Sequence, residues 1–252
     1  VLAGKADLRY QGLAVSGTAD LKAGASHVLL DGSSGKTLDV RAKLQPLELV
    51  DINPHWAGRI AGTVVLKGDK SRPLYDLDLR GQEVQLLGYQ VRQFTLAGNT
   101  ISGKDTRLSA EDLQIDGQVI DRLSLDMTGR LDDARIRVAA DADDYSIESA
   151  GRLRWLPQQQ SYQADSLQLD AGKLGVWRLR EPASVKLSGS GYSFTPLCLV
   201  DSGHGAALCA SDGGRNIALQ SHDFPLALVE PFINTAADDF TYQGQIDITA
   251  EL

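Results

Sequence analysis

The stretch YDLDLRGQEVQLLGYQVRQFTLAGN, residues 75 to 99, limits what this chain can fold into more than any other feature. Tyr75, Leu77 and Leu79 alternate with Asp76, Asp78 and Arg80. Val84 and Leu86 alternate with Glu83 and Gln85, Tyr89 and Val91 with Gln90 and Arg92, and Phe94 and Leu96 flank Thr95. A period of two marks a strand with one dry face and one wet face. The dry face needs something against it, and the remaining sequence must supply it.

It supplies more strands. Runs of the same kind carry Leu113 and Ile115, Leu123 and Leu125, then Ile136 and Val138, and others recur to the final residues, QIDITAEL. Glycine or Asp-rich turns separate many of them, as expected of one extended antiparallel sheet, a sandwich or a solenoid. Two segments read as short helices, QPLELVDINPHW at 45–56 and DFPLALVEPFIN at 223–234, each opened by an early proline and about two turns long. They also form an internal repeat: Pro46 to Asp51 matches Pro225 to Glu230, with Gly62 and Gly244 leading the strand that follows each. No sharp domain boundary appears; residues 155–163 hold the best candidate for a break. About a dozen and a half amphipathic strands thus face two short helices. A closed barrel, a sandwich, or a long sheet curled into a trough and plugged by the helices would each cover the dry faces.

Composition narrows the function. With 42% hydrophobic residues and 23% charged ones among 252, the chain is not of the disordered class. Its formal charge is −8 and no basic run occurs, which argues against nucleic acid and against docking on an anionic leaflet through a basic patch. No run of about 18 apolar residues is present, so no transmembrane helix is expected. A first residue Val1 and an ending within a strand suggest a piece of a longer protein.

Catalytic patterns are missing. His27, His55, His204 and His222 have no partner at metal-ligand spacing, and neither HExxH, CxxC nor a nucleophile elbow occurs. His204 and His222 read as exposed loop residues rather than as pieces of a triad. GSSGKT at 32–37 lacks the leading glycine of a phosphate loop and reads as a hairpin turn. The chain reads as a non-enzyme, with no cofactor and no metal. Cys198 and Cys209 flank the turn DSGHG; a hairpin there would bring them together as a disulfide, in an oxidising compartment, and two buried free thiols are the alternative.

AGRIAGTVVLKGDKSRPLYDLDLRGQEVQLLGYQVRQFTLAG, with Gly68 and Pro73 at the turn, resembles the recurring pattern of the TamB family of AsmA-like proteins. So does the segment in which LCLVDSGHGAALCAS precedes FPLALVEPFIN and a renewed glycine-led strand. The similarity is firmest over 46–100 and 185–252, and it places the stretch as a middle portion of the parent. It implies an all-β fold in which residues 1–252 form a single elongated segment: a long, curled, U-shaped antiparallel sheet (a β-taco) with a greasy interior. It also implies a periplasmic location, with the parent anchored in the inner membrane by an N-terminal helix outside this stretch. The implied partners are phospholipid and an outer-membrane TamA-like protein of the BamA family, met through the parent's C-terminal region. The implied role is phospholipid movement between inner and outer membrane in support of outer-membrane biogenesis.

Under that reading Leu77, Leu79, Val84, Leu86, Val91, Phe94, Leu96, Leu113, Ile115, Leu123, Leu125, Ile136 and Val138 line the groove. In any β protein the same residues would form a core. A groove of similar contacts lets an acyl chain slide, exchanging old contacts for equivalent ones, and the charged headgroup stays outside. The competing readings are a β-solenoid structural or adhesive module, packed shut, and a chaperone that pairs its edge strands with an unfolded outer-membrane β protein.

Overall fold

A computed structural model describes residues 2–156, 158–189, 191–203, 205–212, 217–226 and 244–251. The fold is all-β, with nineteen strands among the described residues and every strand pairing in register antiparallel. The chain divides into two compact units, 1–130 and 131–252.

The first unit is a meander of nine strands: β1 (Leu2–Gln11), β2 (Ala14–Ala23), β3 (Ser26–Ser34), β4 (Thr37–Glu48), β5 (Ala57–Asp69), β6 (Leu74–Leu86), β7 (Tyr89–Asn99), β8 (Lys104–Ile115) and β9 (Gln118–Arg130). Each pairs with the next, and tight turns set the register. Leu86 faces Tyr89 across a two-residue loop, Leu87-Gly88, with φ of 53° and 86°; Ile115 faces Gln118 across Asp116-Gly117, with φ of 48° and 82°. Both are hairpin turns whose positive φ values match the twist of the flanking strands, and glycine supplies the second position without steric cost.

The second unit opens with its own meander of β10 (Asp133–Ala142), β11 (Tyr145–Leu156) and β12 (Gln159–Asp170). Beyond β12 the strands are broken. β13 (Val176–Leu179) and β14 (Ala183–Ser188) pair with opposite ends of β12, interrupted at Pro182. β15 (Gly191–Phe194) pairs with β14 and β16 (Leu197–Asp201) with β13, interrupted at Pro196. Proline lacks the N–H that a ladder needs, so each break falls where the sequence cannot continue a central strand. β17 (Ala207–Asp212), β18 (Ile217–Pro225) and β19 (Gln245–Glu251) complete it. Residues 155–163, the break suggested by sequence, lie at the β11–β12 hairpin, while the unit boundary falls at 130/131.

The helix expected over 45–56 is not there. β4 runs on through Pro46 to Glu48, and only a 3-10 turn, Leu49–Asp51, follows. Pro46 sits in a bulge between Leu44 and Leu47, where the ladder is already interrupted and no N–H is wanted. Of the segment expected to be helical over 223–234, residues 223–225 belong to β18, and 227–234 lie outside the described residues, as does His204. A second 3-10 turn spans Gly172–Leu174.

Within each unit the sheet curls toward its apolar side. Tyr75 reaches across Gly98 of β7 to place its hydroxyl 2.8 Å from Thr106 Oγ1 on β8. In the second unit Trp177 of β13 stacks on Phe224 of β18 with ring centroids 6.0 Å apart. Three inter-strand spacings separate those strands, about 14 Å in a flat sheet, a gap closed by the reach of the two rings together with bending of the sheet.

A candidate apolar binding face

The strand register gathers apolar side chains into rows that run across the strands. In the first unit one row crosses from β2 to β9: Leu21, Val28, Leu44, Gly62, Leu79, Leu96, Leu108, Leu125. Leu77 stands in the next row with Val64, Gly98, Thr106 and Met127, and Phe94 and Leu123 stand in a third with Gly81 and Ala110. Val84, Val91 and Leu113 form a fourth with Ile120, and Leu86 and Ile115 close their hairpins beyond it. In the second unit Ile136 aligns with Gly151, Ala164 and Ala183, and Val138 with Ser149 and Leu167. All thirteen residues picked from the sequence therefore occupy apolar-side registers, eleven in one unit and two in the other. Alternation also marks Leu21, Val28, Leu44, Val64 and Leu108, which the sequence reading left out.

These rows stay on one side only because the strands are bulged. In β6 the apolar phase is odd through Leu79 and Gly81, then even at Val84 and Leu86; in β8 it is even through Leu108 and Ala110, then odd at Leu113 and Ile115. The inserted residues, Glu83 and Asp112, have φ of 49° and 50°. Each absorbs one position in the left-handed region, so the side chains beyond return to the same side. Gly58 and the Pro46 bulge stand at the matching place in β5 and β4. A crease thus crosses the first unit from β4 to β8, and bulges bend the strands that carry them.

Among the described residues, little lies above the apolar face. Of the thirteen residues, Val84 is buried and the other twelve are half-buried. Buried hydrophobics among the described residues are mostly alanine; the larger ones are Leu49, Tyr75, Val84, Met127 and Trp177, and no large side chain is fully buried. Neither unit has an α-helix or a separate second sheet among the described residues to lay over this face. A packed sandwich would bury its facing side chains at crystal-like density. Here space is taken instead by tight fits within the sheet: Phe94 lies over Gly81, where an added Cβ would meet the ring at 2.0 Å.

The opposite face is polar and internally paired. Arg92 hydrogen-bonds Asp112 and reaches Glu111 at 2.7 Å, which raises the guanidinium pKa, Asp112 being the larger cause. Arg107 meets Asp126 at 3.1 Å. Arg152 donates to Asp133 at 2.6 Å; that hydrogen bond is the main cause holding the Asp133 carboxyl below the usual range. An open hollow of about 750 Å³ on this face mixes Asp76, Asp78 and Asp105 with Arg80, Lys104 and Arg107. No group of three or more metal-ligating side chains occurs among the described residues.

Cys198 and Cys209 are direct partners across β16 and β17 and are joined by a disulfide, with Cα atoms 4.0 Å apart. The turn between them is held by Asp201, whose amide donates to the Ala206 carbonyl at 2.8 Å and whose carboxylate accepts from the Gly203 amide at 3.1 Å. No helix among the described residues is long and apolar enough to cross a membrane.

No curated protein and no solved structure matches this chain. A family model does, that of the TamB N-terminal domain, and it matches residues 1–252. The family comprises transport and assembly proteins rather than enzymes, in keeping with a sheet that offers a long apolar face. The chain belongs to the TamB family.

Proposed function

We propose that residues 1–252 act as one segment of a periplasmic, bridge-like lipid-transfer protein, carrying phospholipid acyl chains along the apolar face between inner and outer membrane in support of outer-membrane biogenesis. The TamB family works with TamA, and the parent would reach that outer-membrane partner through its own C-terminal region, outside this stretch. One observation carries the reading: apolar rows continuous in register across the strands of the first unit, half-buried and without a covering layer among the described residues.

Each methylene moved from water onto such a face is worth about 0.8 kcal/mol, so roughly a dozen from one acyl chain gain on the order of 10 kcal/mol before ordering costs. Because Leu79, Leu96, Leu108 and Leu125 repeat one contact from strand to strand, a step along the row exchanges equal contacts and its net cost is near zero. A β-solenoid fits less well, since every pairing in register is with an antiparallel strand rather than a stacked coil.

The test is substitution on the face. Leu79→Asp or Leu125→Arg is expected to abolish transfer and to remove lipid photocrosslinking from a probe at Leu77, while far-ultraviolet circular dichroism keeps its strand signal. Collapse of that signal in both variants would mean that the rows are sealed core, and the reading would fall.

A further inference from the structure

The apolar face of the second unit has two unlike ends. At the end where β12 finishes, Trp177, Ala171 and Ala206 are buried in a cluster joined by Leu174 and Phe224, and the Trp177 Nε1–H donates to the Leu174 carbonyl at 2.8 Å. Asp141, Asp143, Asp144 and Asp170 stand at that end, together with Lys173 of the 3-10 turn. It is packed, and its acids outnumber its bases. At the end where β12 begins, the register aligns Trp155, Gln160, Leu187 and Tyr192 in one row on the apolar side. Trp155, Leu187 and Tyr192 are 57%, 53% and 55% exposed, and Tyr192 stacks on Phe194 of the row behind.

Immediately behind this lip, on the polar side, the next register row is Arg154, Ser161, Lys186 and Ser193. Arg154 has only a long contact to Asp133, 3.9 Å. Lys186 has no ion-pair partner among the described residues. In a chain of net charge −8, this open aromatic lip has two exposed cations behind it, with Asp132 and Asp133 beside Arg154.

Resting on the function proposed above, we propose that this rim is where a phospholipid headgroup rides: the acyl chains lie on the Ile136–Gly151–Ala164 row, the glycerol level meets Trp155 and Tyr192, and the phosphate turns over the lip to Arg154 and Lys186. Tryptophan and tyrosine suit a boundary with one apolar and one wet side. A phosphodiester anion is drawn to guanidinium and ammonium groups and is repelled from the four aspartates at the packed end. The lipid thus has one orientation across the strands of this unit.

The experiment uses the whole 252-residue chain with vesicles of phosphatidylethanolamine and phosphatidylglycerol, doped with either of two photoreactive phospholipids, labelled in the headgroup or at the acyl terminus. The headgroup probe is expected to label peptides containing Arg154 to Leu156 and Val185 to Leu187, and to spare Tyr145, which is exposed on the same side at the acidic end. The acyl probe is expected to label the peptide containing Ile136. Arg154→Glu with Lys186→Glu should cut headgroup labelling about five-fold, the range of an exposed ion pair, and leave labelling by an uncharged diacylglycerol probe unchanged. Headgroup labelling centred on Tyr145, or equal at both ends while the acyl probe still finds Ile136, overturns the rim and spares the groove. Failure of the acyl probe to label the apolar face at all overturns the groove, and the rim with it.

Discussion

At the scale of single residues, much of this fold rests on where a side chain is absent. Gly81 is one such place, because Phe94 occupies the volume a Cβ would need. Gly81→Val should cost about 1–3 kcal/mol, as overpacking does, and Phe94→Ala should recover part of it; urea denaturation of the single and double variants reads both. Charge matters at Asp133. Its carboxyl is held below the usual range chiefly by the hydrogen bond from Arg152, so the stabilisation is present above the unfolded aspartate pKa and is lost as pH falls through the lower folded value. Thermal melts from neutral pH to about pH 3 should show a falling midpoint, and Asp133→Asn should flatten that slope. The disulfide was legible from the turn DSGHG between its cysteines; which side of the sheet each strand turned was not, since that depends on partners distant in sequence. Replacing both Cys198 and Cys209 by serine should lower stability by about 3 kcal/mol on loop-closure grounds, measured against the oxidised parent in denaturant.

At the scale of elements, the strands were readable from alternation and the bulges were also written there, as a change of phase. Leu77 and Leu79 are odd and Val84 and Leu86 are even, within one strand. Read locally, that change looks like two short strands with a break; only the partner strand, with Phe94 over Gly81 and Val91 opposite Val84, shows one strand with an added residue. The same limit produced the false helix. Leu47, Val50 and Ile52 after Pro46 suit a helical turn, yet Leu47 pairs with Ile60, and a neighbouring strand outweighs two turns of marginal helix. Asp112 gives the test of this account. Its deletion should turn Leu113 and Ile115 to the polar side and destabilise the protein severely. Asp112→Gly keeps the inserted position and should alter stability by less than about 1 kcal/mol, since glycine's freedom in the left-handed region offsets its entropy. Equal effects of the two changes would show that the phase shift is unimportant.

At the scale of the molecule, the sheet of this TamB-family chain presents apolar rows on one side. The choice between barrel, sandwich and trough was open in the sequence, because all three use identical alternation; half-burial of Leu79, Leu96 and Leu125 is what sets this sheet apart from a packed sandwich. An environment-sensitive apolar dye should therefore bind the folded chain and be displaced by phospholipid, whereas a packed interior would leave its fluorescence unchanged.

The meander of β1 to β9 has one more consequence. Each ribbon finds its mate in the segment just before it, so loop closure is cheap and no early part waits for a late one. Such a protein can assemble in the order in which it is delivered through a narrow pore. It can also be lengthened by duplicating a hairpin, without redesign of what is already built.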